Sequence, residues 1–356
     1  MRVKLEDVCE RGTSSLMQKD IVDKNGKYPV YGASGRIGSM ETYQQEHQTV
    51  AVVKDGAGIG RTMLLPEKSS VIGTMQYLIP KNCIESEYLY YVVKYMHLEK
   101  YFSGATIPHI YFRDYKTEEF NLHDKTEQRE IVSTLKRIEA IISNRQEQLT
   151  KLDELVKARF VEMFGDPVTN PFNWPAVELG QRCEIITGNT PSRAEPENYG
   201  TFIEWIKSDN INTPSTFLTP AQEYLSEVGF RKCRFVESGS LLMTCIAGSL
   251  NCIGNVAVTN RRVAFNQQIN AITPTCDNVL YLYWLMILSK PAIHKTINMA
   301  LKGILSKSQL SSIKFPFPSI ECQNQFADFV AEVDKSKLLA EVFAQSTCIL
   351  AENRSK

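Results

Sequence analysis

One stretch decides how the rest of the chain can be organised: TEQREIVSTLKRIEAIISNRQEQLTKLDELVKARFVEMFGDP, residues 126–167. Its apolar residues recur at alternating intervals of four and three with charged residues between them, which predicts one long helix with a coiled-coil seam. Gly165 and Pro167 are typical of a helix end. The predicted seam residues are Ile131, Leu135, Ile138, Ile142, Leu149, Leu152 and Val156.

A weaker copy of this pattern lies at ECQNQFADFVAEVDKSK, residues 321–337. At a shift of 195 residues four positions correspond: Gln128 with Gln323, Ile131 with Phe326, Leu135 with Val330, and Ile138 with Val333. The copy predicts a second helix over about 321–352, with Phe326, Val330 and Val333 on its seam. Two such seams in one chain favour antiparallel pairing of the helices.

The segments before the two helices are also similar. VAVVKDGAGIG (50–60) and LLMTCIAGSLNCIG (241–254) each predict a strand and a small-residue turn, and YLYYVVKYM (88–96) and YLYWLMILS (281–289) each predict an apolar helix. Because this order occurs twice, the sequence predicts an α+β protein with two similar globular domains separated by two long helices that form an antiparallel coiled coil. The predicted domains are 1–124 and 167–320, and the predicted helices are 125–166 and 321–356.

The composition is that of an ordinary globular protein, with 43% hydrophobic and 22% charged residues. The longest apolar run, 279–288, is too short for a bilayer, and the absence of a charged and apolar leader favours a cytoplasmic protein. The nine cysteines contain no C-x-x-C pair and predict reduced thiols, not a zinc site. The formal net charge of zero disfavours a chain that binds DNA alone, because such proteins are usually basic.

Two glycine runs, KYPVYGASGRIG (27–38) and DGAGIGR (55–61), could indicate a phosphate-binding loop. A Walker loop requires lysine where Arg61 stands, and the dinucleotide fingerprint requires its third glycine at that position. NPFNWP (170–175) lacks the second proline of a methyltransferase loop, and the five histidines fit no catalytic triad. The first run therefore predicts only a strand from Tyr28 to Tyr31 and a glycine turn, and the sequence predicts no catalytic residue, bound cofactor or metal.

With these features together, the chain resembles the DNA-specificity subunit of type I restriction-modification enzymes over about residues 1–352. The helix run LTKLDELVKARFVEMFGDP (149–167) is the most specific part of the resemblance. The other similar stretches are KYPVYGASGRIG (27–38), VVKDGAGIGRT (52–62), GATIPHIYFRDY (104–115), CEIITGNTPSR (183–193) and EWIKSDNI (204–211). No second KARFVEMFGDP segment follows the last helix, which predicts a shorter far end of the coiled coil.

The resemblance implies that each domain reads one half of a split sequence in double-stranded DNA. It implies that the helices set the distance between the half-sites and dock two methyltransferase subunits, which carry S-adenosylmethionine. Restriction subunits that use ATP and Mg²⁺ can join such a complex. The chain itself would then be non-catalytic, bind none of these cofactors and act in the cytoplasm.

The residues that we predict on the DNA-facing side lie in or beside the repeated turns. In the first domain they are Tyr31, Ser34, Arg36, Lys54, Arg61, Thr106, His109 and Arg113, and in the second Lys207, Asn210, Lys302, Ser306 and Lys307. Small-residue turns let the backbone approach a phosphate strand, and the cations add charge beside it. The same residues also fit an ordinary solvated surface.

A second class of protein fits the same pattern, namely a non-catalytic adaptor with two protein-binding modules on a coiled coil. A fused restriction-modification enzyme fits less well because the methyltransferase and nuclease motifs are missing. Local charge favours DNA only slightly: residues 167–320 contain 13 Lys and Arg against 10 Asp and Glu, and residues 1–124 contain 15 against 16. The resemblance therefore carries most of the assignment.

Overall fold

The computed structural model describes four stretches of the chain, with side chains as far as residue 338: residues 1–21, 26–103, 108–297 and 303–355. By its contacts the chain divides into two units, one made of residues 1–147 and 340–356 and the other of residues 148–339. Within the described stretches, no helix combines the length and the apolar character needed to cross a bilayer.

The first domain consists of short strands and short helices that precede a helix of 40 residues. In chain order its elements are β1 Arg2–Lys4, α1 Leu5–Val8, β2 Cys9–Thr13, β3 Tyr28–Gly32, β4 Gly35–Met40, β5 Thr49–Val53, β6 Thr62–Leu65, β7 Ser70–Val71, β8 Met75–Pro80, α2 Ser86–Tyr95, α3 Phe112–Tyr115, β9 Glu119–Asn121 and the long helix α4 Lys125–Phe164.

Strand β5 lies inside the main sheet of the first domain, whose order is β2-β8-β5-β6 with every neighbouring pair antiparallel. Its Val50 and Val52 belong to the core that includes α2, and its Ala51 and Val53 belong to a second core with residues of β7 and β8. Successive side chains of a strand point to opposite faces, so a strand that is covered on both faces is a continuous apolar run. The VAVV sequence is explained in this way.

The second domain has a longer apolar helix and ends in the second long helix. In chain order its elements are β10 Ala176–Glu178, α5 Leu179–Arg182, β11 Cys183–Thr187, β12 Tyr199–Ile206, β13 Tyr224–Leu225, α6 Glu227–Arg231, β14 Phe235–Val236, β15 Leu241–Thr244, β16 Ile246–Ala247, β17 Val256–Val258, β18 Val263–Phe265, β19 Ile269–Pro274, α7 Val279–Lys295, β20 Gly303–Ile304, α8 Lys307–Ser312, β21 Lys314–Pro316 and α9 Ile320–Ser355.

The second domain repeats the strand topology of the first. Its main sheet, β11-β19-β15-β17, corresponds to β2-β8-β5-β6 and is again antiparallel throughout. In the smaller sheet, β12 pairs antiparallel with β13 and parallel with β18, as β3 pairs with β4 and β7. The pair β10 and β21 corresponds to β1 and β9. The predicted duplication of an α+β domain that is followed by a long helix is therefore confirmed.

Within the second unit, the C-terminal part of α4 and the N-terminal part of α9 run antiparallel. The rings of Phe160 and Phe164 lie 5.3 and 5.6 Å from the ring of Phe326, and Lys337 Nζ lies 2.8 Å from Asp153 Oδ1. Lower residue numbers in one helix thus meet higher numbers in the other. The predicted antiparallel pairing is confirmed for this part of the two helices.

The predicted seam residues also pack against the globular domains, which the heptad pattern alone did not reveal. Those in the core of the first domain or packed against it are Ile131, Leu135 and Ile138. Those in the core of the second domain or packed against it are Leu152, Val156, Phe326, Val330 and Val333. Ile142 and Leu149 are half-buried. A helix stripe of three to four apolar residues in two turns is wide enough to cover a domain as well as a partner helix.

The end of α4 is fixed by Gly165, as the sequence predicted. Its backbone has φ +77°, and its N–H donates to Val161 O at 2.8 Å. A Cβ at this position would lie 2.6 Å from the ring of Pro171. Only glycine meets both conditions without strain, so the chain leaves the helix here and enters the Asn-rich turn before the second domain.

Candidate nucleic-acid interface

The glycine run at residues 27–38 forms the hairpin between β3 and β4. Gly32 pairs with Gly35 across a two-residue turn, and Gly35 has φ +116°. Gly38 is required for space and not for backbone conformation, because a Cβ there would lie 2.5 Å from Ile21 Cγ2. The turn leaves Ser34 exposed at its tip. Of the other predicted DNA-facing residues in this hairpin, Arg36 is exposed and Tyr31 is half-buried.

The second glycine run forms a tight loop between β5 and β6. Its three glycines, Gly56, Gly58 and Gly60, all have φ between +80° and +87°. The loop is attached to the β3–β4 turn, since Arg61 Nη1 donates to Ala33 O at 2.8 Å. The two glycine runs, which are separate in sequence, therefore contribute to one surface of the first domain.

A third loop joins this surface through Asp55. One carboxylate oxygen of Asp55 lies 2.8 Å from Lys54 Nζ, and the other lies 2.7 Å from His109 Nδ1. Backbone bonds hold the same two loops together, with Gly56 N–H donating to Pro108 O and Ile110 N–H donating to Lys54 O. Burial alone would raise the pKa of the Asp55 carboxyl, but the hydrogen bonds and charges of Lys54 and His109 outweigh burial and lower it. Asp55 was not among the predicted site residues.

Beyond His109 the surface continues to an exposed aromatic side chain. Tyr111 is 45% exposed, its ring stacks near that of His109 with centroids 6.2 Å apart, and the guanidinium of Arg113 lies 4.7 Å from the Tyr111 ring. A cation over the face of an aromatic ring is attracted to it electrostatically, and Arg113 is exposed at this position. The structure thus brings Lys54, His109 and Arg113 together, and Tyr111 is an addition to them. Thr106 lies outside the described residues.

In the second domain, Lys207 and Asn210 follow strand β12 but differ in their availability. Lys207 forms an ion pair with Glu223, and its Nζ lies 5.3 Å from the ring of Trp205. Asn210 is 9% exposed, accepts from Lys207 N–H at 3.1 Å and donates to Pro220 O at 2.9 Å. The amide of Asn210 is therefore engaged in the loop, and its predicted DNA contact stays a prediction.

Ser306 and Lys307 lie at the start of α8. Ser306 caps this helix, because its Oγ accepts from Gln309 N–H at 3.2 Å while its own N–H donates to Gln309 Oε1 at 2.9 Å. Lys307 is exposed and lines a groove beside β11 together with Arg234, which donates to Thr187 O. Arg234 was not predicted, and Lys302 lies outside the described residues.

The second domain also carries paired charges that the sequence reasoning missed. Arg193 Nη2 lies 2.7 Å from Glu223 Oε2, and its guanidinium lies 4.5 Å from the ring of Tyr199 and 5.4 Å from that of Trp205. Glu223 therefore partners both Arg193 and Lys207, and hydrogen bonds to Lys207 first, then Arg193, lower the pKa of its carboxyl against the effect of burial. Partly exposed ion pairs of this kind each contribute little to stability.

The described side chains show no cluster suited to a metal ion, namely three or more His, Cys, Asp or Glu residues together. The cysteines among them are free thiols. Burial raises the pKa of Cys9 and Cys183 to about 12, so these thiols stay protonated and behave as small apolar side chains. The surface described above is made of glycine turns, cations and aromatic rings.

The comparison with protein families identifies this architecture. The family model for the type I restriction modification DNA specificity domain matches residues 1–153 and again residues 171–342. The chain belongs to this family, and the two matched segments contain its two globular domains.

Individual relatives are more distant. The specificity subunit of the type I restriction enzyme HindI from Haemophilus influenzae is 29% identical over 158 residues, which cover 42% of this chain and 33% of that protein. The matched region thus spans about a third of the length of that relative.

Two solved structures share the fold. The S subunit of a type I restriction-modification system from M. genitalium superimposes with a TM-score of 0.61 at 16% identity, over 100% of this chain and 95% of that one. A chain from a structure on the assembly and conformational transition of the type I R-M system gives a TM-score of 0.58 at 15% identity, over 100% and 96% of the two chains.

Proposed function

We propose that the chain is the DNA-specificity subunit of a type I restriction-modification complex, in which each domain reads one half of a two-part site in double-stranded DNA. The observation that carries this proposal is the duplication. Two domains of the same topology, each matched by the same specificity-domain family, are each followed by a long helix. A duplicated reading domain suits a recognition site with two halves.

The long helices are suited to set the distance between the halves. Helix α4 has 40 residues, and at about 1.5 Å for each residue a helix of this size is roughly 60 Å long. Half-sites on one face of DNA recur about every 34–36 Å. A rigid element of this length is therefore sufficient to hold two reading domains over one helical turn of DNA or slightly more.

The chemistry is assigned to partner subunits. We infer that two methyltransferase subunits with S-adenosylmethionine dock on the helices, and that restriction subunits with ATP and Mg²⁺ can join them in the cytoplasm. The zero net charge of the chain is consistent with this division, since partners would supply part of the positive surface around the duplex. The contribution of this chain is recognition and spacing.

The test is methylation by the complex. The chain, co-expressed with its methyltransferase subunits, is expected to direct methylation to a single two-part sequence with a fixed gap, as mapped over a whole genome. In a complex that lacks residues 167–320, methylation should no longer depend on one half of that sequence and should still depend on the other, or methylation should cease. Methylation at an undivided sequence would contradict the proposal. Methylation of the same two-part sequence by the methyltransferase subunits in the absence of this chain would also contradict it.

A further inference from the structure

Gln128, in the first turn of α4, is fully buried and joins three segments of the first domain. Its Oε1 accepts from the N–H of Glu85, the residue that caps α2, at 2.9 Å. Its Nε2 donates to Cys83 O at 3.0 Å and to His123 O at 2.9 Å. One amide thus connects the start of the long helix, the segment just before it and the start of α2.

Gln323, at the corresponding position of α9, connects the corresponding elements of the second domain. It is also fully buried, and its Oε1 accepts from the N–H of Asn278, the residue that caps α7, at 2.9 Å. Its Nε2 donates to Pro318 O at 3.0 Å and to Asp277 Oδ1 at 2.8 Å. His123 and Pro318 each precede their glutamine by five residues, so two of the three contacts are equivalent, and the third acceptor is the carbonyl of Cys83 in one domain and the carboxylate of Asp277 in the other.

The neighbouring surface contacts differ between the domains, although they join the same elements. After Gln128, Arg129 Nη2 lies 3.0 Å from Glu85 Oε1, which is an ion pair. After Gln323, Asn324 Oδ1 accepts from Asn278 Nδ2 at 2.9 Å, which is a neutral hydrogen bond. The surface contact has a different chemistry in each copy, whereas the buried amide is the same in both. This contrast singles out the glutamines.

A buried amide supplies what apolar packing lacks, namely direction. The cores beneath α2 and α7 attach each domain to its long helix by contacts such as those of Leu135 and Phe326, and apolar burial is largely non-directional. A glutamine side chain has one acceptor and two donor hydrogens in a fixed plane. Gln128 uses all of them on backbone groups, and Gln323 uses them on two backbone groups and the buried carboxylate of Asp277, so small rotations of either domain on its helix break hydrogen bonds.

We propose that Gln128 and Gln323 are positioning residues that fix the angle between each recognition domain and its long helix, and so restrict the gap between the two DNA half-sites. This inference rests on the proposed function. A merely structural role would lower stability and weaken binding at every gap length. A positioning role changes the preference between gap lengths, and this difference can be measured.

The experiment uses the complex of the chain with its methyltransferase subunits and a series of DNA duplexes. All duplexes carry the same two half-sites, and the gap between them varies by one base pair in either direction from the preferred length. The variants are Q128L and Q323L, which keep the size of the side chain and remove its hydrogen bonds. Q128E is added because it keeps the acceptor and places an oxygen against the two carbonyls.

We expect each variant to methylate the preferred duplex somewhat more slowly and to lose about tenfold in its preference over the neighbouring gap lengths, because buried carbonyls left without a partner favour small rotations that rehydrate them. The control is Q76L. Gln76 is also buried and donates to Tyr115 Oη, which joins two segments of the first domain without a hydrogen bond to α4. This variant should weaken methylation equally at all gap lengths.

The outcomes separate the two proposals. If the unaltered complex has no preferred gap, the proposed function fails whatever the variants do. If the unaltered complex has a preferred gap and both Q128L and Q323L retain its full strength, the positioning role is wrong. Failure of Q128L and Q128E to give a folded complex, as judged by circular dichroism and gel filtration, would show that the amide is required for folding and would also overturn the positioning role.

Discussion

After strand β5 the first domain places Asp55 opposite His109, and after strand β15 the second domain places Ile246 opposite Ile304. The backbones around these pairs are equivalent. Ile110 N–H donates to Lys54 O at 2.9 Å, and Leu305 N–H donates to Cys245 O at 2.8 Å. The side chains are a carboxylate with an imidazole in one domain and two aliphatic groups in the other.

The backbone is also equivalent at the glycine that ends each loop. Gly60 N–H donates to Val53 O at 2.9 Å with φ +80°, and Gly254 N–H donates to Thr244 O at 2.8 Å with φ +81°. The duplicated domain therefore keeps its backbone through glycine and strand pairing and changes the side chains that this backbone presents. Two domains built in this way can present different chemistry on one framework.

The largest expected effect is a loss of stability of the second domain when its contact with the C-terminal end of α4 is removed. Phe160 is fully buried, with its ring 5.4 Å from that of Tyr281 and 5.3 Å from that of Phe326. F160A should therefore destabilise the second domain by about 3–5 kcal/mol, as expected for deletion of a buried aromatic ring. Amide hydrogen exchange should become faster in β15 and stay unchanged in β5.

The control for this change is V161A, on the adjacent and 44% exposed position of the same helix, which should cost at most about 0.5 kcal/mol. Equal acceleration of exchange in β5 and β15 by F160A would show that this part of α4 supports both domains alike.

A smaller difference is expected between the two loop glycines. A Cβ at Gly60 would lie 2.7 Å from the backbone nitrogen of Glu99, whereas a Cβ at Gly254 meets nothing closer than Lys290 Cγ at 3.4 Å. Both substitutions carry the strain of positive φ, about 1–3 kcal/mol, but only G60A adds a clash with backbone. G60A should thus destabilise its domain more than G254A does, by about 1 kcal/mol or more. Each variant is the control of the other, and equal losses of stability would mean that the loop at Gly60 shifts freely.

The parts of this architecture that the sequence predicted depend on local patterns. The seam of α4, its end at Gly165 and the correspondence of Gln128 with Gln323 are all visible in spacing. Contacts between distant positions were not predictable in this way. The pairing of Asp55 with His109 and the packing of Phe160 on Tyr281 depend on tertiary structure.

The candidate site shows the same limit. Sequence placed Lys54, Arg61, His109 and Arg113 together because they lie in or beside glycine turns, and the structure brings these turns to one surface. It did not reveal that the amide of Asn210 is already bonded within its loop. Whether a polar side chain is free or engaged depends on neighbours that spacing does not identify.

If the two loops differ only in the side chains that they present, exchanging these side chains should change recognition without unfolding the domain. The double variant D55I/H109I gives the first domain the aliphatic pair of the second. Because the backbone bonds between these loops do not involve the side chains, the domain should remain folded. Methylation at the half-site of the first domain should fall by about tenfold, the scale of one lost polar base or phosphate contact, while the sequence preference at the other half-site stays the same.

The reciprocal change, I246D with I304H, is the matched control, and it should affect only the other half-site. If both double variants methylate the original sequence at the original rate, these loops do not face DNA and the surface has been assigned wrongly.

The smallest expected effect separates a cation in the proposed surface from an ordinary surface cation. The side chain of Arg113 is 76% exposed beside Tyr111 and paired with Asp114, and that of Arg231 is 75% exposed and paired with Glu227 on α6. If Arg113 contacts a phosphate, R113A should weaken binding of the complex alike for all sequences and reduce the slope of log affinity against log salt by about one. R231A makes the same change of charge and should leave that slope unaltered.

Binding is measured by fluorescence anisotropy between about 50 and 200 mM salt, where each phosphate contact has a resolvable effect. An equal change in slope for both variants would mean that the overall charge of the chain, and not the position of Arg113, determines the salt dependence.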